Sequence, residues 1–207
     1  MYRAKGHPRK YRFCSLLLIA GEIVKDYEYM KKLERNLIDN ILESEVKLGR
    51  TNSSITFYYP EDSLTELLDC SRVELPLKIA AFIENEEDHL DNIIIEELGN
   101  EKGRYAVKIS EKALDWVHNN YQPSDFMKEF VEEIRKPDKT LEGIAELFRK
   151  YSPEVVISKV NTDEWAFAFK EDTIDPYVYH IEQNIFGLEY HRFTRQAYEK
   201  MMCGINK

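Results

Sequence analysis

The residues able to do chemistry are few and scattered: five histidines, three cysteines and 38 carboxylates in 207 residues. His180 and His191 lie eleven positions apart, close to three helical turns. On one continuous helix they share a face but stand about 16 Å apart at ~1.5 Å rise per residue, too far to hold one metal ion. Only a reversal at Gly187 would bring them together. On such a helix Glu182, two residues from His180, points away from it. His118 sits near the expected end of a helix, where its charge suits the dipole and its role is structural.

The acidic run Glu84, Glu86, Glu87, Asp88 and Asp91 lacks the alternating ligands and central glycine of a calcium loop. It reads as a solvated helix end, with His89 exposed inside it. Cys14, Cys70 and Cys203 are an odd, widely spaced set with no CxxC pair, which points to a reducing, cytoplasmic setting. Cys70 follows Leu64, Leu67 and Leu68 and packs most simply as a small hydrophobe. No Walker or dinucleotide glycine pattern, GxSxG elbow or HExxH pair occurs. From motifs, therefore, no catalytic residue, metal or cofactor is assigned.

What remains is aromatic. Trp165, Phe167 and Phe169 alternate with Ala166 and Ala168, the period of a strand with two unlike faces. Tyr105, Val107 and Ile109 alternate with Ala106 and Lys108, and Phe57 and Tyr59 stand in a lone strand over Ile55–Tyr59 stopped by Pro60. In one shared sheet, Tyr59, Tyr105, Trp165 and Phe167 would line an aromatic saddle, and they are the candidate ligand-binding residues. Helices over that saddle would make it a core. An uncovered saddle would be an apolar pocket with hydroxyls to orient a ligand. The alanines allow a helix to approach the opposite face, leaving the rings for the ligand.

The elements that must position these rings form a pattern written twice, over 75–121 and 141–185: apolar helix, two strands joined by a polar loop, and a second helix. The second closing helix starts at Asp175, an N-cap followed by Pro176 at the first helical position. Met30, Leu33, Leu37 and Ile41 recur at helical spacing, with Gly49 as C-cap. The expected fold is α+β: a single domain, 30–207, with one mainly antiparallel sheet of four to five strands built from two helix–hairpin–helix units.

Residues 1–29 differ from the rest. Arg3, Lys5, Arg9, Lys10 and Arg12 precede a short apolar run, Leu16-Leu17-Leu18-Ile19. The order is signal-like, but the run is short and its cleavage site poor, and it cannot span a bilayer. A basic arm ahead of a true start at Met30 fits better. This segment carries a net charge of +3, leaving −12 of the overall −9 to the remainder. So acidic a body repels a phosphate backbone, and nucleic acid is not expected as a partner unless the basic arm binds it alone.

Asn36-Leu37-Ile38-Asp39, Leu48-Gly49, Phe57-Tyr58-Tyr59-Pro60 and Ser63-Leu64 resemble the opening of an uncharacterised family of small bacterial proteins. The likeness runs from Met30 onward and implies no catalytic residues. Function is thus not specified by motif. The reading is a non-enzymatic binding module for a small apolar ligand or a protein partner. The alternative is a motif-less hydrolytic enzyme using carboxylates with a Tyr or His180.

Overall fold

The computed structural model describes residues 31–51, 53–86 and 89–205, so the expectations for segment 1–29 and for Met30 lie outside the described residues. The fold is α+β, with seven helices and two antiparallel sheets among the described residues. The chain gathers into two compact units, 31–41 with 53–120, and 42–51 with 121–205. Helix α1 (31–48) contributes residues to both. It stops at Gly49, whose φ of +86° is the left-handed conformation of a C-terminal glycine, and Gly49 N–H donates to the Glu45 carbonyl at 2.8 Å. No helix among the described residues is long and apolar enough to cross a membrane.

The first unit adds β1 (Ile55–Pro60), α2 (Glu61–Leu67), α3 (Leu75–Asn85), β2 (Ile94–Glu97), β3 (Arg104–Ile109) and α4 (Glu111–Asn120). Its strand order is β1-β3-β2. The alternation in β3 does what its period demands: Tyr105, Val107 and Ile109 are buried and face Tyr59, Phe57 and Ile55 across the ladder. The β2–β3 loop turns at Gly103, φ +75°, whose N–H is held by the Glu97 carboxylate at 3.0 Å. Leu33, Leu37, Leu64, Leu75, Phe82 and Val117 are all buried in this unit.

The second unit adds α5 (Asp125–Ile134), α6 (Leu141–Tyr151), β4 (Val155–Lys159), β5 (Glu164–Phe169), β6 (Val178–Asn184), β7 (Gly187–Phe193) and α7 (Arg195–Ile205). Ser124 caps α5 and Thr140 caps α6, each hydroxyl accepting a backbone N–H three residues on. The sheet order is β4-β5-β6-β7. Phe126, Phe130 and Phe148 from the helices meet Phe167, Phe169 and Tyr179 from the strands edge-on or stacked, with Phe130–Tyr179 centroids 4.7 Å apart and Phe148–Phe167 5.1 Å. On the other face Ala166, Ala168 and Val178 receive Tyr198 of α7.

Two expectations are corrected. The strands form two sheets, of three and four strands, and not one of four to five. The second helix–hairpin unit closes with a strand, not a helix from Asp175. Both trace to one misread segment. The Asp175 carboxylate accepts from the Tyr177 N–H at 3.0 Å and the Tyr179 hydroxyl at 2.9 Å, which fixes a turn instead of a helix start. Nine residues on, Asn184 accepts from Phe186 N–H at 2.8 Å and Gly187 takes φ +126°, reversing the chain into a hairpin. That hairpin supplies the second sheet with its own third and fourth strands.

Candidate functional site

Tyr59 and Tyr105 are direct cross-strand partners in the first sheet, whereas Trp165 and Phe167 sit on β5 of the second. The four residues therefore do not share one sheet. All are buried, from 0% exposure for Phe167 to 8% for Tyr105. The Tyr59 hydroxyl is engaged inside the first unit, donating to Asn36 Oδ1 at 2.8 Å and accepting from Asn40 Nδ2 at 2.7 Å. In the second unit α5 and α6 cover the aromatic face and α7 meets the alanine face. Helix coverage makes the rings a core.

The reversal at Gly187 does bring the two histidines together. His180 and His191 are paired directly across β6 and β7, in one row with Ala166 of β5. In strand geometry residues two apart share a face, so Glu182 lies on the histidine side, in a row with Glu164 and Glu189. The His180 ring is 6.1 Å from that of Tyr198. These groups spread over a sheet face, with His191, Glu182 and Glu189 exposed.

A concave feature of the second unit lies elsewhere. A cleft of about 380 Å³ is walled by Val131, Ile134, Pro137, Leu48, Leu188 and Phe186, with Tyr190 beside Gly187. Its charged lining is Lys47, Arg135 and Lys136, without a carboxylate. Three contacts and turns build it. Arg135 caps the C-terminus of α5 and donates to the Lys47 carbonyl at the end of α1. Lys136 turns back to pair with Glu133 at 2.5 Å. The β6–β7 turn pushes Ile185 and Phe186 out, 92% and 88% exposed, and Leu48 on the cleft wall is 83% exposed.

Behind the cleft lies a buried polar network that holds its floor. Glu43 takes Lys47 Nζ and the Tyr190 hydroxyl on one oxygen, each at 2.7 Å, and Arg192 on the other at 2.8 Å. The Arg192 guanidinium stacks 4.3 Å from the Tyr177 ring, and Lys47 Nζ lies 4.3 Å over Tyr190. Burial works against the charge of Glu43, but Arg192 and Lys47 overrule it and hold its pKa below the ordinary value. Burial and the Glu43 charge push Tyr190 well up, so it remains a neutral phenol able to donate. Burial opposes the Arg192 charge too, and the Glu43 carboxylate outweighs it.

None of the cleft residues was read from sequence as part of a binding site. The available signal was Arg135-Lys136-Pro137, a basic helix end in an acidic chain, together with Asn184 and Gly187 three positions apart as a turn.

Residues 30–202 match the profile of the family described as a domain of unknown function, E. rectale Gene description (DUF3877). No curated protein and no solved structure matches the chain.

Proposed function

The chain belongs to this family of unassigned activity, and from its own geometry we propose a non-enzymatic binding module that takes a small amphipathic molecule with an anionic group. The observation that carries this is the cleft of the second unit: apolar walls under a rim of Lys47, Arg135 and Lys136, on a chain of net charge −9. Its volume is within the ~300–1,000 Å³ of small-molecule sites. An anion is otherwise repelled by this protein, and with Lys47 held by Glu43 and Lys136 by Glu133, the Arg135 guanidinium is the cation that selects one. Arg135 offers the guanidinium N–H donors left beside the one given to the Lys47 carbonyl, suited to a carboxylate or phosphate. Val131, Ile134 and Leu188 would receive the apolar part, and Tyr190 would orient it.

The exposed Leu48, Ile185 and Phe186 favour a second reading, in which a partner protein docks over the same rim. The widely spaced cysteines, with Cys70 and Cys203 free, support a cytoplasmic setting.

Calorimetric titration of the full chain with decanoate, decanol and decylamine tests the ligand reading. Decanoate should bind about tenfold or more tightly than decanol, a difference of ~1.4 kcal/mol, and decylamine should not bind. Arg135→Ala should remove the preference and Leu188→Asp the binding. Equal affinity for all three, or no binding at all, refutes the anionic-ligand reading and leaves the partner-protein one.

A further inference from the structure

In the first unit one side chain of α1 meets two from the end of α3. Glu86 ends α3 as its C-cap residue, His89 follows in the next turn, and Glu34 comes from α1. His89 Nδ1 lies 3.2 Å from Glu34 Oε1 and 3.8 Å from Glu86 Oε2, and one donor atom from each residue falls within 4.8 Å of the others. The histidine is not swinging free: its ring stacks on Trp116 of α4, centroids 4.7 Å apart and planes 14° from parallel. Leu90 and Ile93, both buried, pin the turn that carries it.

Glu86 is the unusual member. Its side chain is 8% exposed, and Oε2, the atom facing His89, makes no hydrogen bond. A buried polar atom without a partner is costly, and this one sits beside a second carboxylate at the negative end of a helix. Burial, then the charge of Glu34, push its pKa up to about 7. All three disadvantages reverse sign if a cation occupies the space between the carboxylates and the imidazole.

We propose that Glu34, Glu86 and His89 form a divalent transition-metal site, with zinc as its occupant. The donor set is one imidazole nitrogen and two carboxylate oxygens, which suits zinc and not calcium, whose ligands are all oxygen. Ligands about 2.0–2.1 Å from a tetrahedral zinc stand roughly 3.3 Å apart, so modest rotation of the two carboxylates closes the site. Binding through Nδ1 displaces any proton there to solvent. Three protein donors leave one position for water, and the half-exposed His89 gives the ion its route in. This reading is independent of the cleft in the second unit.

The test is calorimetric titration of the EDTA-stripped full chain with zinc chloride at pH 7.5. One equivalent should bind with a dissociation constant below about 10 µM, and magnesium should not compete. Glu86→Gln keeps the shape and removes the charge, and with His89→Ala it should weaken binding at least tenfold while circular dichroism stays unchanged. The cross-strand pair on β6 and β7 is the rival zinc binder, so His180→Ala/His191→Ala should retain the site. Cobalt substitution should give a visible absorption band that Glu86→Gln abolishes. The proposal is overturned by absence of zinc binding, by binding that survives both Glu86→Gln and His89→Ala, or by binding lost only in the β6–β7 double variant.

Discussion

Removing Arg192 should do more damage than its place near the end of the chain suggests. Its side chain is 5% exposed and its partner Glu43 is 11% exposed, so Arg192→Met strands a carboxylate inside the second unit. Breaking a buried pair from one side costs about 3–5 kcal/mol. Lys47 and the Tyr190 hydroxyl still hold the other Glu43 oxygen at 2.7 Å, which places the expected loss at the lower end, about 3 kcal/mol. The pH dependence gives the sharper test. In the parent, Glu43 has a folded pKa below its unfolded value, so its contribution is present above the unfolded pKa and lost as pH falls through the folded one. In the variant, burial of Glu43 is no longer opposed by Arg192 and its folded pKa rises above the unfolded value. The penalty is then full above that raised pKa and shrinks as acid protonates the carboxylate. Urea unfolding at pH 7, 6, 5 and 4, in a Trp116→Phe background so that Trp165 reports the second unit, should show the two stabilities converging. Glu43→Gln/Arg192→Met should recover more than half the loss at pH 7. A gap below ~1 kcal/mol at pH 7, or one unchanged down to pH 4, refutes the network account.

Phe130→Ala should cost about 3–5 kcal/mol in the same assay, because Phe130 is fully buried among Phe126, Phe148, Tyr179 and Tyr190. Gly187→Ala meets no neighbour within 4 Å yet must adopt φ +126°, so a loss of about 1–3 kcal/mol is expected from backbone strain alone. Tyr59→Phe removes a hydroxyl bonded to Asn36 and Asn40 and should cost about 1 kcal/mol, read in a Trp165→Phe background through Trp116. Trp165→Phe itself should leave decanoate binding unchanged, since Trp165 lies in the core and does not line the cleft.

The legible part of the sequence was the part in which periodicity and burial agree. Trp165, Phe167 and Phe169 had to be a strand, and Leu33, Leu37 and Ile41 a helix face, because the first alternates large rings with alanines at period two and the second recurs at helical spacing. The misread segment, 175–193, fits both periods at first sight. Asp-Pro looks like a helix start, and His180 and His191 fall near a helical spacing. The deciding facts are local hydrogen bonds of Asp175 and Asn184 to backbone N–H groups, which compete with a helix and win. Val178, His180 and Tyr179, Ile181 alternate in sequence, and weighting that over the proline would have found β6. The cleft was not legible, because its cations come from α1 and the end of α5 and its wall from the misread hairpin. Nor was the Glu34–Glu86–His89 cluster, since nothing in sequence brings α1 to the end of α3.

β4 stands at the outer end of its sheet, and among the described strands only β5 pairs with it. Val155, Val156 and Ile157 thus carry a run of hydrogen-bonding groups that another molecule could extend, the usual start of strand-to-strand aggregation. Pro153 stands just ahead of the run and Lys159 closes it. The Lys159 ammonium is drawn 3.8 Å over the Trp165 ring, so the charge is anchored at the margin of the sheet and does not drift away from it. A molecule adding itself to β4 has five residues to grip and must bury that charge to grip them. The same cation–π contact that decorates the core therefore serves colloidal stability, keeping copies of an aromatic-rich protein from zipping together at high concentration.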